Sequence, residues 1–273
     1  MTTRLDTELV RRGLARSRRH AGELIAAGRV SVDGSAVSRS AVQVTEDRRV
    51  QVDADDADPG YASRAGHKLA GALDALGADG PAVAGRHCLD AGASTGGFTD
   101  VLLRRGAAGV VAVDVGHDQL VDVLRADPRV EVREGVNVRT LAAGDVVPAP
   151  ELVVADLSFI SLTLVLPALV DVARPDADLL VMVKPQFEVG RERLGSGGVV
   201  RQPDLWVDAV AGVARTAAEL GLAVRGVVRS PLPGPSGNVE FFLWLRRSDG
   251  AGPVEVPVDL IGAVVRARAE GDR

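Results

Sequence analysis

The sequence contains one cysteine and only two lysines, so arginine supplies 30 of its 32 basic residues. A single cysteine, Cys88, excludes an internal disulfide and any cluster of metal-binding thiolates, which favours a reducing cytoplasm as the setting. The heavy use of alanine, arginine and valine is typical of GC-rich coding, under which arginine replaces lysine wherever either cation serves. The surviving lysines, Lys68 and Lys184, are therefore candidates for a role that a guanidinium cannot fill.

Aromatic residues and long apolar runs are also scarce. Aromatic residues make up 3% of the chain against 46% hydrophobic residues, so the core must be built from alanine, valine and leucine. The longest uncharged apolar run, residues 157–170, has 14 residues and falls short of the roughly 20 that span a bilayer. The first residues contain no apolar segment of the kind found in signal sequences. We expect no membrane role.

Negative charge dominates the chain, but not its first part. The formal net charge is −5, whereas residues 1–49 carry ten arginines against six acidic residues, a balance of +4. The remainder therefore carries −9. A basic head on an acidic body is the asymmetry expected when one module binds a polyanion, although a solvated helix face would also produce it.

The first 60 residues predict a small α+β domain. Residues 8–28 suit two short helices, with Ser17 placed to cap the second. Residues 30–37 alternate around an Asp-Gly pair, which indicates a β-hairpin, and residues 48–54 suit a third strand. The acidic segment 53–60 ends in Pro-Gly and has no periodicity, so it is expected to be a linker.

From residue 61 onwards, apolar strands alternate with helical stretches. This pattern predicts an α/β, Rossmann-like domain with a seven-stranded, mostly parallel sheet covered on both faces. We therefore predict two domains, at residues 1–59 and 60–273. The predicted strands are residues 87–92, 110–115, 130–135, 152–158, 179–185, 223–230 and 241–247.

Residues 89–100, LDAGASTGGFTD, run from a buried strand through a glycine-rich turn into a helix. Such a turn lets the backbone approach a ligand closely at a helix N-terminus. The stretch lacks the Gly-Lys-Ser/Thr ending of a phosphate-binding Walker loop, and its glycines, Gly92, Gly96 and Gly97, do not fit Gly-x-Gly-x-x-Gly. The turn therefore predicts a nucleotide-like ligand of another kind.

Two acidic residues narrow the choice of ligand. Asp90, at the end of the first strand, would repel a pyrophosphate but suits an ammonium group such as that of S-adenosylmethionine. Asp114 ends the next strand, where a ribose diol would lie. Together they predict S-adenosylmethionine as the methyl-donating cofactor.

Four further polar residues are expected at the ligand-binding edge of the sheet. Asp156 and Lys184 end strands, Glu240 opens the last strand, which must run antiparallel to reach this edge, and Lys68 lies in a basic helix before the sheet. Methyl transfer to a ribose 2′-oxygen requires removal of a proton. A neutral lysine amine can accept that proton, whereas a guanidinium stays protonated. An exposed, unconstrained position is the alternative for either lysine alone.

Five stretches carry a family resemblance: YASRAGHKL, LDAGASTGGF, VVADLSFISL, VKPQFEVG and SPLPGPSGNVEFFLWL. They resemble the TlyA family, bacterial ribosomal RNA 2′-O-methyltransferases of the FtsJ class that are sometimes catalogued as haemolysins. The resemblance covers almost the whole chain. It implies a class I methyltransferase fold, cytidines of small- and large-subunit rRNA as substrates, and no metal. It also implies a catalytic tetrad of Lys68, Asp156, Lys184 and Glu240, with Lys184 as the proton acceptor.

The same resemblance implies the binding residues. Near position 137 the FtsJ class usually carries an aspartate, and Asn137 can still hydrogen-bond an adenine edge. The head resembles the αL-type RNA-binding domain of a ribosomal small-subunit protein and of pseudouridine synthases, which implies arginine contacts to phosphates. The implied cofactor contacts are Asp90, Gly92, Ala93, Ser94, Gly96, Gly97, Phe98, Asp114, Asn137 and Asp156. The implied RNA contacts are Arg4, Arg11, Arg16, Arg18, Arg19 and Arg64.

Several alternatives stay open at this point. Phe98 could cover the cofactor or pack beneath its helix. The chain could be a pore-forming cytolysin, a non-catalytic ribosome-assembly factor that holds S-adenosylmethionine as a structural ligand, or a small-molecule O-methyltransferase. The last leaves the basic head unexplained. We expect the protein to act as a monomer on ribosomal RNA or ribosomal subunits.

Overall fold

The computed structural model describes residues 2–15, 18–53, 59–248 and 254–267. The chain divides into two compact units, Met1–Ser63 and Arg64–Arg273. The division lies four residues beyond the 59/60 boundary that the sequence suggests. Ser17, expected to cap a helix, and residues 54–58 of the expected linker lie outside the described residues.

The N-terminal unit packs two helices against short strands. Its core consists of aliphatic side chains such as Leu5, Leu9 and Ile25, which are almost wholly shielded from solvent. The predicted hairpin is present: Asp33 and Gly34 have φ values of 49° and 80°, as a tight two-residue turn requires. The elements are β1 (Thr2–Arg4), α1 (Leu5–Arg11), α2 (Arg18–Ala26), β2 (Val30–Val32), β3 (Ser35–Ala36), β4 (Gln43–Thr45) and β5 (Val50–Val52).

Pairing in this unit joins β2 to both β3 and β5 in antiparallel fashion. A second antiparallel pair, between β1 and β4, was not predicted. Each of these two strands has three residues, which is too short for an alternating pattern to stand out in the sequence.

The C-terminal unit alternates strands and helices as the sequence predicts. Its strands are β6 (His87–Ala91), β7 (Gly109–Asp114), β8 (Val130–Glu134), β9 (Leu152–Ala155), β10 (Asp178–Val183), β11 (Leu222–Arg229) and β12 (Phe241–Arg247). Its helices are α3 (Arg64–Leu76), α4 (Gly97–Arg104), α5 (Asp122–Arg125), α6 (Leu166–Val172), α7 (Pro185–Glu188), α8 (Pro203–Glu219) and α9 (Val258–Arg266).

The seven strands form one sheet in the order β11-β12-β10-β9-β6-β7-β8. Strands β8, β7, β6, β9 and β10 run parallel to one another, and β12 is antiparallel to both β10 and β11. Every residue of β9 and β10 is buried, because helices cover both faces of the sheet. The predicted α/β class and the seven-stranded, mostly parallel sheet are confirmed. The last strand is antiparallel, which is the condition on which Glu240 reaches the ligand-binding edge.

The strand order places a crevice at the centre of the sheet. The chain leaves β6 towards β7 and β8 on one side and then returns to form β9 on the other side of β6. At such a reversal, the loops after the two central strands separate and leave room for a ligand beyond their carboxyl ends. The glycine turn follows β6 and Asp156 follows β9, so both lie at this crevice.

None of the helices in the described ranges is both long and apolar enough to cross a bilayer. Within the same ranges, no group of three or more His, Cys, Asp or Glu side chains is arranged to hold a metal ion.

Candidate active site

A cavity of about 530 Å³ opens at the crevice between β6 and β9. Five of the predicted cofactor-binding residues line it: Gly92, Ser94, Asp114, Asn137 and Asp156. They come from the carboxyl ends of four different strands, β6, β7, β8 and β9: Asp114 is the last residue of β7, and the other four lie in the segments after β6, β8 and β9. The parallel arrangement therefore brings together side chains that are up to 64 positions apart.

The glycine turn is shaped by close contacts that only glycine permits. Gly92 has a φ of 89°, and a Cβ there would lie 2.6 Å from the carbonyl oxygen of Asp156. Gly96 has a φ of 95°, and a Cβ there would collide with Leu124. The positive φ angles and the close neighbours both favour glycine at these two positions, and of the two only Gly92 lines the cavity.

Asp114 and Asn137 form polar parts of the cavity wall. The Asp114 carboxylate accepts hydrogen bonds from the backbone N–H groups of Ser94 (2.8 Å) and Gly116 (2.7 Å), which fix its position. Asn137 caps a short 3-10 turn, since its Oδ1 accepts from the backbone N–H of Arg139 at 3.1 Å. This capping bond leaves the Asn137 amide NH₂ group to donate into the cavity.

Asp90 lies behind the turn, fully buried, and is not among the residues that line the cavity. Thr99 Oγ1 donates to its Oδ2 at 2.6 Å, while Oδ1 has no hydrogen-bond partner among the described residues. Burial raises the pKa of Asp90 to about 7, the Thr99 hydrogen bond opposes this rise, and the charge of Asp156 adds to it. A buried acid with one free oxygen suits a cationic ligand group.

The remaining residues of the predicted cofactor set support the turn. The Phe98 ring packs on Phe242, with ring centroids 6.0 Å apart, and is 2% exposed. We therefore assign the Phe98 ring to packing beneath α4 and not to covering a ligand. Ala93, Gly96 and Gly97 are likewise absent from the cavity lining.

A second cavity of about 330 Å³ adjoins the first, and Ser158 and Phe159 line both. Lys184 and Glu240 line this second cavity. Lys68 is not among its lining residues, but Lys68 Nζ donates to Glu240 Oε2 at 2.6 Å. Three members of the predicted tetrad, Asp156, Lys184 and Glu240, thus line the two adjoining cavities. The fourth, Lys68, contacts Glu240.

Lys184 and Asp156 form the other lysine–carboxylate pair. Nζ of Lys184 lies 2.6 Å from Asp156 Oδ1, yet no group in the described part of the chain makes a hydrogen bond of acceptable angles to this oxygen. The amine therefore faces the carboxylate as a charge. Its hydrogen bond goes to Ser158 Oγ, at 2.8 Å.

The Lys68–Glu240 pair is buried, with 7% and 1% of the two side chains exposed. In the second pair Lys184 is buried and Asp156 is partly buried, with 9% and 16% of the side chains exposed. Removing two ion pairs from water costs about as much as their attraction returns, so such pairs are weak contributors to stability. Their placement next to joined cavities indicates a functional reason for keeping them.

Ser158 and Glu188 are two polar residues of this region that the sequence analysis did not assign. Glu188 accepts hydrogen bonds from Ser161 Oγ (2.5 Å) and from the backbone N–H of Leu162 (2.8 Å). Burial raises the pKa of Glu188, and these two hydrogen bonds oppose that rise. Both residues stand inside the quoted stretches VVADLSFISL and VKPQFEVG, but a sequence does not show which of two loops contact each other.

The arginines expected to bind RNA are only partly free of internal partners. Arg4 and Arg18 form ion pairs with Asp6, and Arg11 forms one with Glu8. Arg4 holds the pKa of Asp6 well below its usual range, and Arg11 lowers the pKa of Glu8 to about 2.

These three arginine side chains still expose 44–61% of their surface. Arg64 begins α3 and is partly exposed. Arg16 and the side chain of Arg19 lie outside the described residues.

Comparison with known proteins covers both units. Residues 61–247 match the model of the FtsJ-like methyltransferase family, and residues 3–53 match the S4 domain. The chain is 55% identical, over 269 residues and 98% of both chains, to the 16S/23S rRNA (cytidine-2′-O)-methyltransferase TlyA of Mycobacterium tuberculosis.

Two further relatives carry a different name. Hemolysin A of Brachyspira hyodysenteriae is 35% identical over 87% of this chain and 97% of that protein. A solved Streptococcus thermophilus structure that also bears the name hemolysin has a TM-score of 0.75 and 35% identity, and it covers 97% of this chain and 94% of its own. The chain belongs to the FtsJ-like methyltransferase family, in the TlyA group that carries an S4 domain at the N-terminus.

Proposed function

We propose that the protein is a ribosomal RNA (cytidine-2′-O)-methyltransferase that acts on the small- and large-subunit rRNAs with S-adenosylmethionine. The observation that carries the proposal is the pair of lysine–carboxylate contacts beside two joined cavities, one of which is formed by the glycine turn. The 55% identical relative named for this activity supports the choice of substrate. Such an enzyme works with the ribosome, in the cytoplasm.

The larger cavity fits S-adenosylmethionine. Of the residues that line it, Asp114 suits the ribose hydroxyls, and the Asn137 NH₂ group suits an acceptor on the adenine edge. Asp90 lies behind the glycine turn and does not line the cavity, but its Oδ1, which has no hydrogen-bond partner among the described residues, suits the ammonium of the methionine part. Gly92 lines this cavity and allows the turn to approach the carbonyl oxygen of Asp156, an approach that a Cβ would prevent. When bound, this cofactor supplies an electrophilic methyl group on a sulfonium.

The smaller cavity supplies the base. The Lys184 amine belongs to the wall of the smaller cavity, and its partners Asp156 and Ser158 line the larger one. The amine is thereby placed to accept the proton of a ribose 2′-hydroxyl. Asp156 balances the charge that then forms on the amine. Glu240 lines the same cavity with one free carboxylate oxygen, and Lys68 holds its other oxygen, so Glu240 can accept a hydrogen bond from the ribose.

The S4 domain supplies positioning. Its exposed arginines suit phosphates of a folded RNA, and contacts to phosphates fix register without reading bases. In this proposal the choice of nucleotide is left to the shape of the RNA and to the methyltransferase unit.

The test is transfer of tritium from labelled S-adenosylmethionine to ribosomal subunits from a strain that lacks the modification. Label in ribose at a cytidine supports the proposal, and nuclease mapping identifies the position. No label in either subunit or in naked rRNA, combined with tight cofactor binding, would instead support a non-catalytic assembly factor.

Two relatives carry the name hemolysin, so a membrane-active function is tested separately. Leakage of liposomes caused by the pure protein at low concentration would support a membrane-active function, and intact liposomes alongside active methyl transfer would remove it. The small-molecule alternative predicts equal activity when the S4 domain is altered.

A further inference from the structure

Lys184 makes one hydrogen bond through its amine among the described residues, and its acceptor is Ser158 Oγ at 2.8 Å. The nearer atom, Asp156 Oδ1 at 2.6 Å, does not meet hydrogen-bond angles. The Asp156 carboxylate therefore interacts with the Lys184 amine through its charge, whereas the hydrogen bond to Ser158 orients the amine.

Ser158 lies at the boundary between the two cavities, where the orientation of the Lys184 amine affects proton removal. It lies in the extended segment after β9, two residues beyond Asp156, and it is exposed and lines both cavities. The methyl-donor cavity and the cavity that holds Lys184 and Glu240 thus meet at this hydroxyl. If the proposed function holds, a 2′-hydroxyl must lose its proton close to this point.

We propose that Ser158 is a positioning residue that aims the lone pair of the Lys184 amine. A neutral amine has two N–H bonds and one lone pair in tetrahedral directions. With one N–H directed at Ser158 Oγ and the amine held against Asp156, rotation about the Cε–Nζ bond is restricted. The lone pair then keeps one direction, as general-base catalysis requires.

The segment that carries Ser158 is itself fixed to the segment that carries Lys184. Glu188, at the end of α7, accepts hydrogen bonds from Ser161 Oγ and the Leu162 N–H, and α7 begins immediately after Lys184. These two bonds tie the loop after β9 to the loop after β10. The Glu188 carboxylate therefore holds the segment that contains Ser158 close to the short helix that follows Lys184.

The contact can be tested without activity, because the chain has only two lysines. Protein labelled with ¹³C-lysine gives two side-chain signals, which Lys68→Arg and Lys184→Arg assign. Ser158→Ala should move the Lys184 signal and leave that of Lys68 in place, whereas Ser158→Thr, which keeps the hydroxyl, should preserve both. An unmoved Lys184 signal in Ser158→Ala overturns the contact.

Kinetics test the consequence. Loss of a hydrogen bond to a cationic or catalytic amine should lower kcat by about ten- to a hundredfold in Ser158→Ala. KM for the RNA and the cofactor dissociation constant should stay within about twofold, since uniform binding is not removed. Ser158→Thr should recover most of the rate.

Three results bear on the inference. Wild-type kcat in Ser158→Ala overturns it, as does a loss of cofactor binding that matches the loss of rate, which would show a merely structural role. If the unmodified protein transfers no methyl group at all, the proposed function fails, and the lysine signals still decide whether Ser158 holds the amine.

Discussion

Lys68 Nζ lies 2.6 Å from Glu240 Oε2, although 172 positions separate the two residues in the sequence. α3 carries the lysine, and the segment entering β12 carries the glutamate. Because β12 runs antiparallel to β10, its first residues reach the edge of the sheet at which Lys184 follows the end of β10. One reversed strand therefore completes the site.

This buried pair allows a double-mutant prediction. Glu240→Gln leaves the buried Lys68 amine without its charge partner and should destabilise the fold by about 3–5 kcal/mol. Lys68→Met combined with Glu240→Gln should recover much of that loss, because no unpaired charge is left. Both Glu240→Gln and the double variant should lack methyl transfer, because each removes a member of the predicted tetrad.

Thermal melting and tritium transfer measured on the same preparations check both statements. Additive losses of stability in the double variant would mean that the two side chains do not depend on each other.

Replacement of Lys184 by arginine should abolish transfer while cofactor binding stays nearly unchanged. The substitution keeps the positive charge beside Asp156 but removes a group that can accept a proton at neutral pH. Calorimetric titration with S-adenosylmethionine and single-turnover transfer to ribosomal subunits give the two quantities. Retained turnover in Lys184→Arg would show that another group is the base.

Cofactor affinity should depend on pH through Asp90. Its pKa of about 7 means that the carboxyl is protonated below that pH, whereas a bound ammonium group favours the carboxylate. Binding must then release a proton, so the affinity should fall as pH decreases below 7, by at most about tenfold per pH unit. Asp90→Asn should bind more weakly at pH 8 and lose this dependence.

The pH dependence of the stability of the cofactor-free protein tests independently whether the pKa of Asp90 is raised. Because the folded-state pKa of Asp90 is raised, the native state binds more protons than the unfolded state between the ordinary pKa and about pH 7. The contribution of this residue to stability is therefore present at low pH and lost as pH rises through that window. Asp90→Asn should raise the melting temperature at pH 8 more than at pH 5, and the opposite order would contradict the assignment.

Removing charge from the S4 domain should weaken RNA binding and reduce its salt dependence. Each lost phosphate contact should lower the slope of log affinity against log salt by about 0.7–0.9. The variant replaces Arg16, Arg18 and Arg19 with alanine, and Arg215→Ala, an exposed arginine on α8, serves as a charge control. An unchanged slope in the triple variant would place the contacts outside this domain.

The strands and their order of appearance could be predicted because their signals are local. Each of the seven strands is a short apolar run bounded by turn residues, and each lies within three residues of its expected limits; the largest difference is at β9, which ends at Ala155 and not at residue 158. The three-residue strands β1 and β4 were not predicted, because they are defined by pairing with each other and not by a periodic pattern in the sequence. Ser158 was not predicted as a site residue for a similar reason, since the proposed role depends on its contact with Lys184, 26 positions away.

The sequence by itself determined which chemical groups are available: two lysines kept in an arginine-rich chain, acids at strand ends, and glycines after the first strand of the sheet. Only the tertiary structure decided how they pair, with Lys68 to Glu240 and Lys184 to Asp156 and Ser158. It also decided that Phe98 packs and that Asp90 is buried deeply enough to have a pKa of about 7. Local patterns set the conformation of a segment, whereas distances between segments, and the shielding from water that shifts a pKa, depend on how the sheet is ordered and covered.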